Sequence, residues 1–220
     1  SESSLASTKA DKDFIQKVKK LQMPFIANQG QVDENVKFYA RTFGGTVFIT
    51  KDGEIVYTLP ENKAEANSKG KGIAKGVSIK EILIGGKVNE VKGEAEAVTK
   101  VSYFRGNDSS KWKRDIPTYD LLNLGEVYKG IELKLKAYGN NMEKLFYVNP
   151  DGRTEDIRLR LEGAKGISIN KEGELEVDTE LGIVKFTRPV AYQEIEGRRV
   201  EVAVNYKLQT SDTRLQTQDS

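Results

Sequence analysis

The spacing of hydrophobic residues changes along the chain from a helical period to strict alternation. Within residues 11–21 the apolar side chains recur at helical spacing, at Phe14, Ile15, Val18 and Leu21. An aspartate at position 11 or 13 can cap the start of this segment, and Pro24 ends it. The pattern therefore predicts one short helix or arm at the N-terminus.

From residue 36 onward, apolar and polar residues alternate in short runs, which is the period of half-buried β-strands. Asp52-Gly53, residues 150–152, Glu172-Gly173 and Glu196-Gly197 carry the turn residues of hairpins. The alternation predicts strands at 36–42, 46–59, 77–85, 87–94, 96–104, 131–139, 142–149, 156–163, 166–179, 181–187 and 190–208.

Two segments break the alternation. Residues 61–76 are polar and rich in Lys, Ala and Gly, which predicts an exposed loop, and residues 105–124 are less regular. Roughly a dozen strands with turns every 8 to 12 residues indicate a mainly β fold of one or more antiparallel β-sandwiches. Half-polar strands favour antiparallel sheets with one wet face.

The predicted domain organisation has three parts. Residues 1–23 form an N-terminal arm or helix, residues 24–208 a β-sandwich domain, and residues 209–220 a polar tail. The β domain can also be divided into two subdomains, at about 24–104 and 118–208.

The amino-acid composition excludes several kinds of catalytic and metal-binding site. The 220 residues include no cysteine and no histidine, which excludes disulfides, thiolate zinc sites, thiol nucleophiles and a Ser-His-Asp triad. The net charge is +2, with 35 basic and 33 acidic residues interspersed, so no basic face suited to nucleic acid is visible. Lys and Glu are enriched, a bias typical of thermophile proteins.

Paired carboxylates are the one catalytic device that the composition leaves open. The acidic residues on or near predicted strands alternate with apolar ones, which is typical of a solvated strand face: Glu132, Glu143, Asp156, Glu174, Glu176 and Asp178. We therefore expect no catalytic, cofactor-binding or metal-binding residues. No run approaches the ~20 apolar residues of a membrane-spanning helix. The start at Ser1 fits a mature product after removal of a signal peptide, or a trimmed chain.

A series of short sequence motifs, taken in their order along the chain, resembles a known family. They are PFIANQGQ (24–31), VKFYAR (36–41), YFRGND (103–108), SKW (110–112), PTY (117–119), VYKGIEL (127–133), IRLRLEGA (157–164) and PVAYQE (189–194). Over residues 24–208 the chain resembles the uncharacterised N-terminal β-rich domain of secreted prokaryotic surface proteins. In those proteins the domain precedes β-propeller-type SBBP repeats or PKD-type modules.

The resemblance implies an extracellular or cell-surface location, a β-rich fold and no catalytic motif. Members usually continue into repeats, whereas this sequence ends where the domain ends. A display domain on its own has to act by binding, and the simplest partner is another copy of itself. Open β-sandwiches expose strand edges that pair with donated strands.

We therefore expect a non-catalytic structural protein that self-assembles into a fibre or surface layer, by strand donation or edge pairing. The candidate assembly arm carries Leu5, Phe14, Ile15, Val18 and Leu21, and residues 1–22 or 209–220 are the segments expected to insert into a neighbour. Other cell-surface proteins are also possible partners. One alternative is a monomeric carbohydrate- or surface-binding adhesion module with exposed aromatics near Trp112 or Tyr119. Another is a glycan-active enzyme that uses two carboxylates.

Overall fold

In the computed structural model, the residues described are 21–60, 76–104, 106–139 and 141–209, and they form 18 strands that pair only antiparallel. The chain divides between Gly163 and Ala164 into two compact units. The first unit contains β1 (Gln22–Met23), β2 (Phe25–Ala27), β3 (Val36–Thr42), β4 (Gly45–Thr50), β5 (Ile55–Pro60), β6 (Gly76–Leu83), β7 (Lys92–Glu96), β8 (Val101–Tyr103), β9 (Lys113–Ile116), β10 (Thr118–Tyr128), β11 (Ile131–Tyr138), β12 (Met142–Val148) and β13 (Leu159–Glu162). The second contains β14 (Gly166–Ile169), β15 (Leu175–Thr179), β16 (Gly182–Phe186), β17 (Ala191–Ile195) and β18 (Arg198–Val202).

Eleven strands of the first unit form one sheet in the order β1-β11-β10-β2-β3-β4-β5-β6-β13, with β12 added to β11 and β7 added to β10. Alternate residues of β11 are buried on one face, as the period of two requires. The sheet folds over on itself, because side chains of strands far apart in this order meet. The Lys144 ammonium of β12, at one end of the order, lies 2.8 Å from Glu81 of β6, near the other end. Phe38 of β3 packs edge-on against Tyr119 of β10, with ring centroids 5.7 Å apart.

The main core lies between the two halves of this folded sheet. Its fully buried side chains include Phe25 of β2, Ile49 of β4, Leu122 of β10 and Leu133 of β11. Burying an aliphatic or aromatic side chain of this size contributes about 1.5–3 kcal/mol. The two packed halves give this unit the sandwich arrangement that strand alternation predicts.

A smaller core lies under the hairpin of β8 and β9. Ile26, Val36, Tyr39 and Ile116 form it, and Tyr39 is 1% exposed. The Tyr39 hydroxyl donates a hydrogen bond of 2.8 Å to the Tyr103 hydroxyl of β8. Burial, together with that hydrogen bond, raises the pKa of Tyr39 well above its usual range.

Short 3₁₀ turns at Ser109–Lys111 and Thr154–Asp156 are the helical elements within the described residues. None of the described helical segments has the length and apolar character needed to cross a membrane.

The mainly β, antiparallel fold class predicted from alternation is confirmed, but the strands number 18 rather than about a dozen. Most of residues 113–124, the later part of the segment expected to be less regular, lies in β9 and β10, and β10 is the longest of the described strands. Gln22 and Met23, assigned to the arm, pair with Tyr138 and Ala137 of β11 and belong to the sheet.

The possible boundary between subdomains at about 24–104 and 118–208 separates strands that pair in one sheet, because β10 joins both β2 and β7. The predicted helix, apart from Leu21, most of the loop at 61–76, and the tail from residue 210 lie outside the described residues.

Candidate functional site

The three-stranded sheet of the second unit has one apolar and one polar face. Val177, buried completely, is opposite Ile167 of β14 and Val184 of β16. On the other face, the Lys185 ammonium lies 3.3 Å from Glu174 and 3.1 Å from Glu176. Within the described part of this unit, Val177 and Thr179 are the only buried residues. The second unit therefore has little core of its own.

The hairpin of β17 and β18 follows that sheet and forms a separate two-stranded sheet. Its register pairs Ile195 with Arg198, so Glu196 and Gly197 alone make the turn. Both turn residues have positive φ, 51° and 74°, as a two-residue type I′ turn requires. The glutamate bears the strain of that conformation, which glycine and asparagine adopt more readily.

Alternation along the hairpin gives it two chemically different faces. One face carries Tyr192 and Glu194 of β17 with Arg199 and Glu201 of β18, and the Arg199 guanidinium lies 4.4 Å from the centre of the Tyr192 ring. The opposite face carries the apolar residues and two polar ones: Ala191, Gln193, Ile195, Arg198, Val200 and Val202.

The apolar face of this hairpin is open to solvent. Ile195 is 51% exposed, Val200 45% and Val202 37%. Every residue of β18 is exposed, and so is every residue of β17 except Ala191. Each strand pairs only with the other among the described residues, so the outer edges of β17 and β18 bear no described strand. Exposed apolar side chains and open edges on one hairpin are the features of a docking surface.

A buried ion pair joins the two halves of the first unit's sheet. The Lys144 ammonium of β12 donates a hydrogen bond of 2.8 Å to Oε2 of Glu81 on β6, and the Tyr57 hydroxyl lies 3.4 Å from the same oxygen. The Glu81 side chain is 3% exposed, and its Oε1 has no hydrogen-bond partner among the described residues. The ammonium of Lys144 and the carboxylate of Glu81 bind each other, so this cluster serves to hold β12 against β6.

The outer face of β7, β10 and β11 holds a second charge network. Glu94 accepts hydrogen bonds from the Lys134 ammonium at 2.8 Å and from the Asn123 amide at 2.6 Å. These two donors lower the pKa of Glu94, and Lys134 has the larger effect. A carboxyl with a lowered pKa adds stability above its unfolded-state pKa and loses it as the pH falls through the folded pKa.

We predict that Lys134→Met raises the pKa of Glu94 toward its ordinary value. The stability difference between wild type and variant should be greatest above that ordinary value and should shrink as the pH falls below it. Carboxyl carbon NMR titration and urea unfolding at several pH values measure both effects. Lys136→Met, a change on the same face of β11, is the control that should leave Glu94 in place. An unchanged Glu94 titration in Lys134→Met would contradict the assignment.

Residues 25–220 match a domain of unknown function, DUF7948. The chain belongs to the DUF7948 family. No curated protein and no solved structure has a significant match to the chain. The match includes β2 to β18 of this DUF7948 domain, so the exposed hairpin lies within the family's limits.

The sequence-predicted arm residues lie largely outside the described part of the DUF7948 domain. Leu21 is 54% exposed directly before β1, while Leu5, Phe14, Ile15 and Val18 precede the described residues. Leu21 is therefore the one arm residue whose environment is described. The hairpin, which the sequence predicted only as two strands and a turn, was missed as a site. The sequence did contain a signal for an amphipathic hairpin. Its polar residues alternate with apolar ones at a spacing that makes one face apolar: Tyr192, Glu194, Arg199 and Glu201.

The two aromatics named for a binding module have different environments in the DUF7948 domain. Tyr119 is half-buried against Phe38 and lies directly over Gly93. Trp112 meets Phe104 edge-on at 5.4 Å, and the Arg114 guanidinium lies 5.6 Å from one ring centre and 5.8 Å from the other. Arg114 thus lies against one face of each ring, and that face is not open for stacking on a sugar.

The carboxylates considered for catalysis are spread over the DUF7948 domain. Glu132 and Glu143 lie on β11 and β12, whereas Glu174, Glu176 and Asp178 lie in the second unit on or beside β15. Hydrogen bonds from Asn170 and Lys185 lower the pKa of both Glu174 and Glu176. A general acid needs the opposite shift.

Proposed function

We propose that this DUF7948 domain is a non-catalytic, extracellular structural subunit that assembles with copies of itself through strand edges. The observation that carries the proposal is the β17–β18 hairpin, whose faces are exposed and whose outer edges bear no described strand. The proposal moves the assembly element from the N-terminal arm to this hairpin.

The physical argument starts from the weakness of an isolated hairpin. Two strands alone are marginally stable in water, and three or more strands or a packed face are needed for independent stability. A further strand supplies backbone hydrogen bonds along the edge and covers apolar side chains. Assembly therefore stabilises the part of the chain that has the least packing of its own.

Edges on both sides of the hairpin allow growth beyond a dimer. Pairing at β18 and at β17 would use opposite sides of the same two-stranded sheet, so each added copy leaves another edge open. Interfaces that do not close on themselves give fibres or layers rather than small rings. This geometry supports a fibre or surface-layer role.

Location outside the cell and the absence of catalysis are parts of the proposal. Location rests on the resemblance to the N-terminal domain of secreted surface proteins. The lack of catalysis rests on a chain without histidine or cysteine and on the lowered pKa values of Glu174 and Glu176. The cluster of the exposed Phe104 and Arg114 with the half-buried Trp112 favours the alternative of a monomeric binding module, but Arg114 lies against one face of each ring.

Negative-stain electron microscopy of the full chain tests the proposal, with Arg199→Pro as the edge-blocking variant. Proline removes the outward backbone N–H at position 199 and leaves the inward hydrogen bonds of the hairpin in place. We expect fibres or sheets from the wild type and separate particles from Arg199→Pro. Arg199→Ala, which keeps the N–H, should still assemble. Separate particles from the wild type, or assemblies unaffected by Arg199→Pro, would contradict the proposal.

A further inference from the structure

We infer that β18 pairs antiparallel with β18 of a second copy of this chain, about a two-fold axis through Val200. The inference rests on the proposed function and names the partner, the edge and the register. Two observations support it: the direction in which the backbone N–H and C=O groups of β18 point, and the order of the charged residues along β18.

The backbone polarity follows from the turn. A two-residue hairpin closes at a hydrogen-bonded pair, which here is Ile195 and Arg198. Hydrogen-bonded and non-hydrogen-bonded pairs then alternate, so Gln193–Val200 and Ala191–Val202 are also hydrogen-bonded pairs. The N–H and C=O groups of Arg199 and Glu201 consequently point away from β17, toward the outer edge.

The charges select one register among those that use these outward groups. Two outward residues per strand can meet in three antiparallel registers. One places Arg199 opposite Arg199 of the partner subunit, and another places Glu201 opposite Glu201 of the partner subunit, which are like-charge contacts that destabilise a sheet. The third places Arg199 opposite the partner's Glu201 at two symmetric positions, and opposite charges at directly facing positions stabilise a sheet.

The favoured register produces a four-stranded sheet with consistent faces. Its polar face has the row Glu194, Arg199, the partner's Glu201 and the partner's Tyr192, so the arginine has a carboxylate on each side. Its other face brings Val200 against the partner's Val200 and Arg198 against the partner's Val202. An isologous contact of this kind uses the same patch on both copies.

The absence of cysteine allows a direct test with one introduced thiol per chain. At the axis, Val200 would form a non-hydrogen-bonded pair, whose Cα atoms are about 4.5 Å apart, within the ~4.4–6.8 Å that a disulfide spans. In this register, two copies of position 202 would be roughly 13 Å apart. The experiment oxidises dilute full-length Val200→Cys and Val202→Cys and measures the covalent dimer by non-reducing electrophoresis and intact mass.

We expect Val200→Cys to give roughly tenfold more covalent dimer than Val202→Cys at the same concentration, because only the first pair satisfies disulfide geometry. Equal yields, or no dimer from Val200→Cys, would overturn the register.

A pair of charge-reversal variants provides a second test of the register, and this test needs no oxidation. Arg199→Glu alone would place carboxylate opposite carboxylate across the axis, and Glu201→Arg alone would place guanidinium opposite guanidinium. Mixed together, the two variants would face each other with opposite charges at both positions. We expect the mixture to sediment with a larger mass than either variant alone, and a mixture that sediments like the separate variants overturns the register.

The two proposals fail differently in these experiments. A wild-type chain that associates while both the cysteine and the charge-reversal tests are negative overturns the Val200 register and leaves self-assembly standing. A wild-type chain that stays monomeric at every concentration overturns the proposed function and the register together.

Discussion

We expect Lys144→Met to lower the free energy of unfolding by about 3–5 kcal/mol, the cost of leaving a buried charge without its partner. The Lys144 ammonium is 2.8 Å from Glu81 Oε2, and the two side chains are 14% and 3% exposed. Methionine fills a similar volume but donates no hydrogen bond. The carboxylate, whose other oxygen already has no partner among the described residues, would then remain buried on β6.

Two further variants separate the loss of the pair from the loss of packing. In Glu81→Met with Lys144→Met no charge is left, so most of the stability should return, since apolar replacements of buried pairs are often neutral or stabilising. Lys134→Met, at a more exposed ion pair, should cost no more than about 1 kcal/mol. Urea unfolding of all variants measures the differences. A Lys144→Met midpoint equal to that of wild type would show that the ion pair does not hold the sheet's two halves together.

The second large effect is expected from Gly45→Ala, at the start of β4. Gly45 has a φ of 144°, and a Cβ built there would lie 2.2 Å from the backbone carbonyl oxygen of Thr58 on β5. Backbone cannot move aside as a flexible side chain can, and β4 and β5 pair at Thr46 and Thr58. Strain and overpacking together should cost about 2–5 kcal/mol.

Gly30→Ala is the matched control for Gly45→Ala. Its φ of 98° is also positive, but a Cβ there meets nothing within 4 Å. That change should therefore show conformational strain alone, about 1 kcal/mol. Thermal and urea unfolding compare the two, and equal costs would contradict the steric part of the explanation.

The alternation of apolar and polar residues predicted the strands that pair with their neighbours in sequence. The segment 36–42 coincides with β3, and the turns at Asp52-Gly53 and Glu196-Gly197 join β4 to β5 and β17 to β18. These elements follow from nearest neighbours in sequence, because a tight turn fixes the register of the strands beside it.

The longest strand, β10, was missed because its polar residues have distant partners. Asn123 bonds Glu94 of β7 and also accepts a hydrogen bond from the Gly125 N–H, so an amide and a glycine that indicate a loop lie inside a strand. Besides its sequence neighbour β11, β10 pairs with β2 and β7, which are far from it in sequence. Local propensity gives no signal for pairing of this kind.

The candidate site was missed for a related reason. The sequence of β17 and β18 is amphipathic, and amphipathic strands are usually covered by their own domain. Whether Ile195 and Val200 are covered depends on the rest of the fold, and here they remain 51% and 45% exposed. The sequence instead indicates the N-terminal arm as the assembly element, because its helical spacing differs from the alternation in the rest of the chain. Of the five arm residues, only Leu21 lies within the described part of the structure.

Sedimentation velocity of the full-length chain over a wide concentration range tests the central claim most directly, that the protein acts by pairing strand edges with its own copies. The account predicts a weight-average mass that rises beyond the dimer with concentration for wild type and stays at or below the dimer for Arg199→Pro, whose β17 edge is unchanged. A wild-type mass that stays at the monomer throughout, or an Arg199→Pro variant that associates like wild type, would contradict it.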